Sequence, residues 1–130
     1  MSDESKKQMT KWLRSAPMVR GTLLRGVLFP DHTAVNDPID KNFQTDALEQ
    51  AWRVVSDTFQ VLSAQSFPPS RLSWVYERSL LHCAQRPDGT MLGVFLSRKN
   101  NEPDNDGLTR LLNEFQSLAL TSATSKTDAK

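Results

Sequence analysis

The sequence predicts an α+β domain in which a five-stranded antiparallel sheet carries helices in the order α-β-β-α-β-β-β-α. Three observations lead there. Three segments repeat their apolar residues at spacings of three and four, as amphipathic helices do. The tetrapeptide Pro-Asp-x-Thr occurs twice, at residues 30–33 and 87–90, each time between strand-like runs. The stretch "RLSWVYERSLLHCAQ" alternates as a half-buried strand pair does. A chain of 130 residues with seven prolines and five glycines is the size of one domain. The expected layout is a single domain over residues 1–120 and a polar, disordered tail, "TSATSKTDAK", over 121–130.

The first helix is expected over about residues 5–15, because Met9, Trp12, Leu13 and Ala16 form a one-sided stripe and Pro17 stops it. "MVRGTLLRGVLFPDHTAVNDPI" is rich in Val, Leu and Phe and is broken by Pro30-Asp31-His32, so it reads as a hairpin. The middle helix follows in "TDALEQAWRVVSDTFQVLSAQ", where Leu48, Trp52, Val55, Phe59 and Leu62 line one face. Thr45 or Asp46 can cap it, Asp46 with Glu49 makes a capping box, and Pro68-Pro69 ends it. Ala47, Val54 and Val61 form a second apolar line, displaced to one side of the first. A helix with so wide an apolar face needs two neighbours, its own sheet and a further surface such as a partner subunit.

Residues 71–98 predict three antiparallel strands, with a tight turn at Glu77-Arg78 and a second at "RPDGT", where Gly89 supplies a positive φ. "DNDGLTRLLNEFQSLAL" predicts a last helix that buries Leu108, Leu111, Leu112, Phe115 and Leu118, with Asp104 and Asp106 at its start, favouring the positive end of its dipole.

Charge narrows the function classes. The formal net charge is +1, with +4 over residues 1–30, −4 over 31–70, +3 over 71–100 and −2 over 101–130, which is not the balance of a polyanion binder. A single cysteine allows no internal disulfide, so a reducing compartment, the cytoplasm, is expected. No apolar run approaches the length of a membrane span, and "MSDESKKQMT" has no apolar core of a signal peptide, so no membrane association is expected.

Each motif with chemical potential has a plainer structural reading beside it. His82 and Cys83 are adjacent in a strand, where successive side chains point to opposite faces, so they cannot act as a base and nucleophile or share a metal. Cys83 reads as a small buried hydrophobe, and the other histidine, His32, lies on the first hairpin turn. "GTLLRGVL" spaces Gly21 and Gly26 as a phosphate loop does, but Val27 and Leu28 stand where Lys and Ser or Thr are required, leaving strand-edge or bulge glycines. "EPDNDGLTRLLN" places Glu102, Asp104, Asp106 and Gly107 as in a calcium loop, yet Asn113 replaces the bidentate Glu. Trp12, Trp52 and Trp74 are not interleaved with basic residues and read as packing rather than a base-stacking platform. Asp37 and Asp40 read as solvated loop carboxylates. No catalytic residue, cofactor or metal site is expected.

Taken together, "VRGTLL" after the first helix, "DHTAVNDP", the long middle helix and "RLSWVYERSLLHCAQRPDGTMLGVFLSRK" resemble the roadblock domain of dynein light chains and of bacterial mutual-gliding-type GTPase regulators. The resemblance covers about residues 7–118 and lies in hydrophobic patterns and turns. It departs at the first hairpin, where Asp31-His32 replaces Asp-Gly and where Asn36 and Asp37 interrupt a short second strand, so the hairpin register is left open.

The resemblance implies a roadblock-like fold with profilin-like layering. It also implies a non-enzymatic, cytoplasmic homodimer whose sheets join edge to edge and whose middle helices pack together as a platform for a small Ras-like GTPase; a last helix is characteristic of bacterial forms and of some others. The expected interface comprises Ala47, Ala51, Val54, Thr58 and Val61 of the middle helix with Leu72, Trp74 and Tyr76 of the third strand. Arg78 and Arg86 are expected partner contacts. An alternative is a secretion-chaperone-like dimer that holds an extended protein segment, although such proteins have a shorter middle helix. An enzyme using Cys83 or His82, and a nucleic-acid binder using the positive 71–100 segment, are the remaining readings, and no nucleic-acid partner is expected.

Overall fold

The computed structural model describes residues 1–65, 69–99 and 103–120. The elements are α1 (Asp3–Ser15), β1 (Thr22–Leu28), β2 (Ala34–Pro38), α2 (Ala47–Ser63), β3 (Arg71–Val75), β4 (Ser79–Gln85), β5 (Met91–Ser97) and α3 (Asn105–Ser117). This is the expected order, with one antiparallel sheet ordered β2-β1-β5-β4-β3. The expected tail over 121–130 and the residue Pro68 lie outside the described residues.

Alternation along the strands sorts the core into two layers. Val27, Ala84, Leu92, Val94 and Leu96 pack with Met9, Trp12 and Leu13 of α1 and with Leu111, Leu112 and Phe115 of α3. Leu24, Leu28, Leu81, Cys83, Met91 and Phe95 turn to the other face and pack under Leu48, Trp52, Val55 and Phe59 of α2. The sheet is therefore sandwiched, with α1 and α3 on one side and α2 on the other. Trp12 sits in the first layer, donating its indole N–H to Glu114 at 2.9 Å. Trp52 and Trp74 belong to the second, so the three tryptophans form no common platform.

The two Pro-Asp-x-Thr segments fold alike. His32 N–H donates to Phe29 O and Gly89 N–H to Arg86 O, both at 2.9 Å, and Asp31 and Asp88 each accept from the backbone N–H of the threonine two residues on. The third residue of each turn has positive φ, 71° at His32 and 93° at Gly89. Histidine thus takes the left-handed conformation that glycine takes in the second hairpin, and the first hairpin's register is fixed as Leu28↔Ala34 through Leu24↔Pro38.

Several local expectations are corrected. α1 begins at Asp3, because Ser2 caps it by accepting from Ser5 N–H at 3.1 Å. The capping box at α2 does not form: Asp46 has φ −86° and ψ 2°, outside the extended region a capping side chain uses, and its carboxylate accepts from Gln50 Nε2 instead. Leu118 lies just past α3, as its C-cap. Gly26 is neither at a strand edge nor in a bulge but mid-strand, paired with Gly93; the irregularity in β1 falls between Thr22 and Leu24.

Asp37 is not a solvated loop carboxylate. It lies in β2 and binds Arg25 Nε at 3.0 Å, while the Arg25 guanidinium, 1% exposed, also donates to Pro17 O and Ala16 O. One buried cation thereby joins β1, β2 and the end of α1.

Candidate functional site

The residue types that could carry catalysis are dispersed. Cys83 is fully buried under α2, and burial pushes its thiol up to about 12, so it stays protonated and unreactive. His82, its strand neighbour, faces the opposite layer and lines a hollow with Ser73 and Leu112. Burial holds its imidazole below the ordinary histidine range. His32 is exposed on the first turn.

Asp104 accepts from Gly107 N–H and Arg20 N–H, both at 3.0 Å, which commits it to capping α3. Glu102, the first ligand position of the calcium-loop reading, lies outside the described residues. Among the described residues no group of three His, Cys, Asp or Glu side chains is placed to hold a metal ion. No helix among them is long and apolar enough to cross a membrane.

What the structure does present is unpartnered apolar surface on α2 and β3. Ala47, Ala51, Val54, Thr58 and Val61 recur at alternating spacings of four and three, the repeat of a seam between packed helices. Ala47, Ala51 and Thr58 are half-buried, whereas Val54 and Val61 are 56% and 62% exposed. The inner face of α2 is occupied by the sheet, so this stripe is left uncovered. The polar Arg53, Asp57 and Gln60 lie on its far side, away from the sheet-facing residues. A groove of ≈ 570 Å³ runs from Ala47, Ala51 and Val54 across Phe95 to Tyr76 and Arg78, joining the stripe to the β3–β4 turn.

β3 is a terminal strand of the sheet, and so is β2, but the two edges differ. β2 carries Asn36, Asp37 and Pro38, the polar and proline residues that discourage further strand pairing. Between Arg71 and Glu77, β3 and the residue after it run Leu72-Ser73-Trp74-Val75-Tyr76 with no charge and no proline. Leu72 and Trp74 are half-buried against the α2 layer, and Tyr76 is 44% exposed with its ring 6.1 Å from that of Phe95.

Val75, which the sequence pattern does not single out, is the most exposed large apolar residue among the described residues, at 70%. Alternation selects Leu72, Trp74 and Tyr76 as one face. It carries no signal that α3, which reaches β3 at Arg71 through Asn113 and Gln116, leaves Val75 open.

The two arginines fare differently. Arg78 is exposed on the β3–β4 turn and lines the groove. Arg86 is turned into its own chain: it binds Asp88, donates to Phe115 O at 2.6 Å and lies over the Phe115 ring, leaving its side chain 9% exposed. Its charge ties the second hairpin to the end of α3, and Arg78 is the one that has surface to offer.

No protein-family profile matches the chain, and no curated protein does. Among solved structures the fold is similar to a Roadblock/LC7 domain from Streptomyces avermitilis, with a TM-score of 0.59 and 16% identity over 83% of this chain and 88% of that one. A weaker likeness, TM-score 0.46 at 18% identity, links 86% of the chain to 97% of MglC from Myxococcus xanthus. The architecture of the chain is that of a Roadblock/LC7 domain.

Proposed function

We propose that this chain of Roadblock/LC7 fold is a non-enzymatic homodimeric scaffold that binds a small Ras-like GTPase and modulates its nucleotide cycle. The observation that carries the dimer is Val54 and Val61 standing 56% and 62% exposed on a seam-like stripe beside an unguarded β3 edge. Pairing β3 with its copy about a twofold would satisfy the open edge and bring the two α2 stripes together, since an isologous contact uses the same patch on both subunits. Fully burying a valine side chain contributes about 1.5–3 kcal/mol, and the twofold counts each residue twice. Ala47, Ala51 and Thr58 let the helices approach, and Leu72, Trp74, Val75 and Tyr76 make the strand side of the joint.

The GTPase assignment rests on the resemblance and on the fold, with Arg78 the proposed basic contact beside the joint. The distribution of reactive groups supports a binding role: the one thiol is buried and protonated, His82 beside it on β4 turns to the opposite face of the sheet, and His32 lies on the first hairpin turn. A middle helix of 17 residues, Ala47–Ser63, favours this reading over a secretion-chaperone-like dimer. The proposed location is the cytoplasm, with neither nucleic acid nor membrane as partner.

The assay is nucleotide release and GTP hydrolysis by the Ras-like GTPases of the source organism, with and without the protein. A changed rate that disappears with Val54→Asp supports the reading. Unchanged rates and no co-elution across all of them refute the GTPase assignment.

A further inference from the structure

We infer that the groove between α1 and β2 is a second docking site, which receives an acidic, apolar-containing segment of a partner protein. The groove lies at the sheet edge opposite β3, so it is separate from the proposed dimer joint and stands whether or not that joint forms.

Its floor is apolar, built from Phe29, Ala34 and Val35, and its wall is the basic side of α1. Lys7, Lys11 and Arg14 sit at i, i+4 and i+7 and therefore share one helix face over roughly 10 Å. All three are exposed, and none makes an ion pair among the described residues. Lys6 behaves otherwise: it pairs with Asp31 and lies 5.5 Å from the Phe29 ring centre, so its charge is already neutralised at one end of the groove. The structure thus holds one cation for itself and leaves a row of three over a greasy floor.

Charge complementarity selects the occupant. A row of cations above apolar side chains fits a segment that alternates carboxylates with apolar residues, since alternate side chains of an extended chain face opposite ways. The chain's own C-terminal residues, "TSATSKTDAK", have two lysines against one aspartate and no large apolar side chain, so they do not fit. A broad polyanion fits less well, because around β2, outside the groove's lining, the chain carries Asp31, Asp37 and Asp40. A narrow acidic strand meets the groove's own lining, which contains no carboxylate.

The test is fluorescence anisotropy of the full chain with a labelled peptide of alternating glutamate and leucine. Expected is saturable binding that weakens about tenfold or more in Lys11→Glu/Arg14→Glu. Ala34→Glu, which sets a carboxylate in the exposed floor, should weaken it similarly, and Lys99→Glu, outside the groove, should leave it unchanged. Circular dichroism confirms that each variant is folded. Absence of saturable binding up to about 1 mM overturns the proposal. So does insensitivity to either groove variant, or equal binding by an oligonucleotide or by phosphatidylserine vesicles with the same loss in Lys11→Glu/Arg14→Glu.

Discussion

Gly26 of β1 and Gly93 of β5 stand directly opposite each other in the sheet, and Leu48 of α2 rests on both. A Cβ added at Gly93 would lie 2.8 Å from Leu48 Cδ2 and 3.0 Å from the Trp52 ring; one at Gly26 would lie 2.9 Å from the Val35 carbonyl and 2.7 Å from Asn36 Oδ1. The glycine pair is what lets α2 settle close enough to bury Leu48 and Trp52 while the stripe displaced to one side of them, with Val54 and Val61, faces outward.

Gly26→Ala should therefore destabilise the fold by about 1–3 kcal/mol, because backbone on the neighbouring strand must move. Gly93→Ala should cost less when combined with Leu48→Ala than the sum of the two single changes, since the clash is with a flexible side-chain end. Urea denaturation of the single and double variants measures the coupling.

The two hairpin turns offer a matched pair. Gly89→Ala should cost about 1 kcal/mol, for the left-handed backbone alone, since the nearest atom to the new Cβ is Pro30 Cγ at 3.6 Å. His32→Gly should stabilise by up to about 1 kcal/mol for the converse reason. Thermal unfolding shifts of opposite sign in the two variants are the expected result.

At Arg25 a buried cation depends on Asp37. Asp37→Ala should destabilise by about 2–3 kcal/mol, less than full isolation of a buried charge, because Pro17 O and Ala16 O still accept from the guanidinium. Asp37→Asn, which keeps a neutral acceptor, should cost less. The difference between the two denaturation midpoints reads the charge on the pair.

Much of this was legible in the sequence, and the failures share a cause. Helix stripes and turn tetrapeptides are local, so the eight elements and their order follow from spacing alone. The role of Asp37 depends on Arg25, a partner on another strand brought alongside by the hairpin register, and at a distance of twelve positions it shows no motif. Arg86 is similar: its partner at Phe115 O lies on α3. Gly26 reads as a strand-edge or bulge glycine because a glycine that makes room for a helix packed on its face has no signature of its own. The α2 stripe was visible, but that Val54 and Val61 stay open while Ala47 and Ala51 are half-buried required the packing.

His82 predicts a pH response. Burial depresses its folded-state pKa below the ordinary value of 6.5, so the unfolded chain binds the proton more readily. The stability it contributes is fully present above pH 6.5 and is lost as pH falls through the lower folded value. The hollow around it holds Arg71, whose guanidinium is directed to Gln116 and Asn113, and no carboxylate that would reverse the sign. His82→Gln should flatten the fall of melting temperature between about pH 6.5 and 5.

In the proposed dimer a twin covers the α2 stripe and the β3 edge that one chain leaves open. Static light scattering of the purified protein at micromolar concentration tests it most directly. Expected are twice the chain mass for the unaltered protein and a folded monomer for Val54→Asp/Val61→Asp. A unaltered protein that scatters as a monomer throughout that range, or a variant that remains fully dimeric, would contradict it.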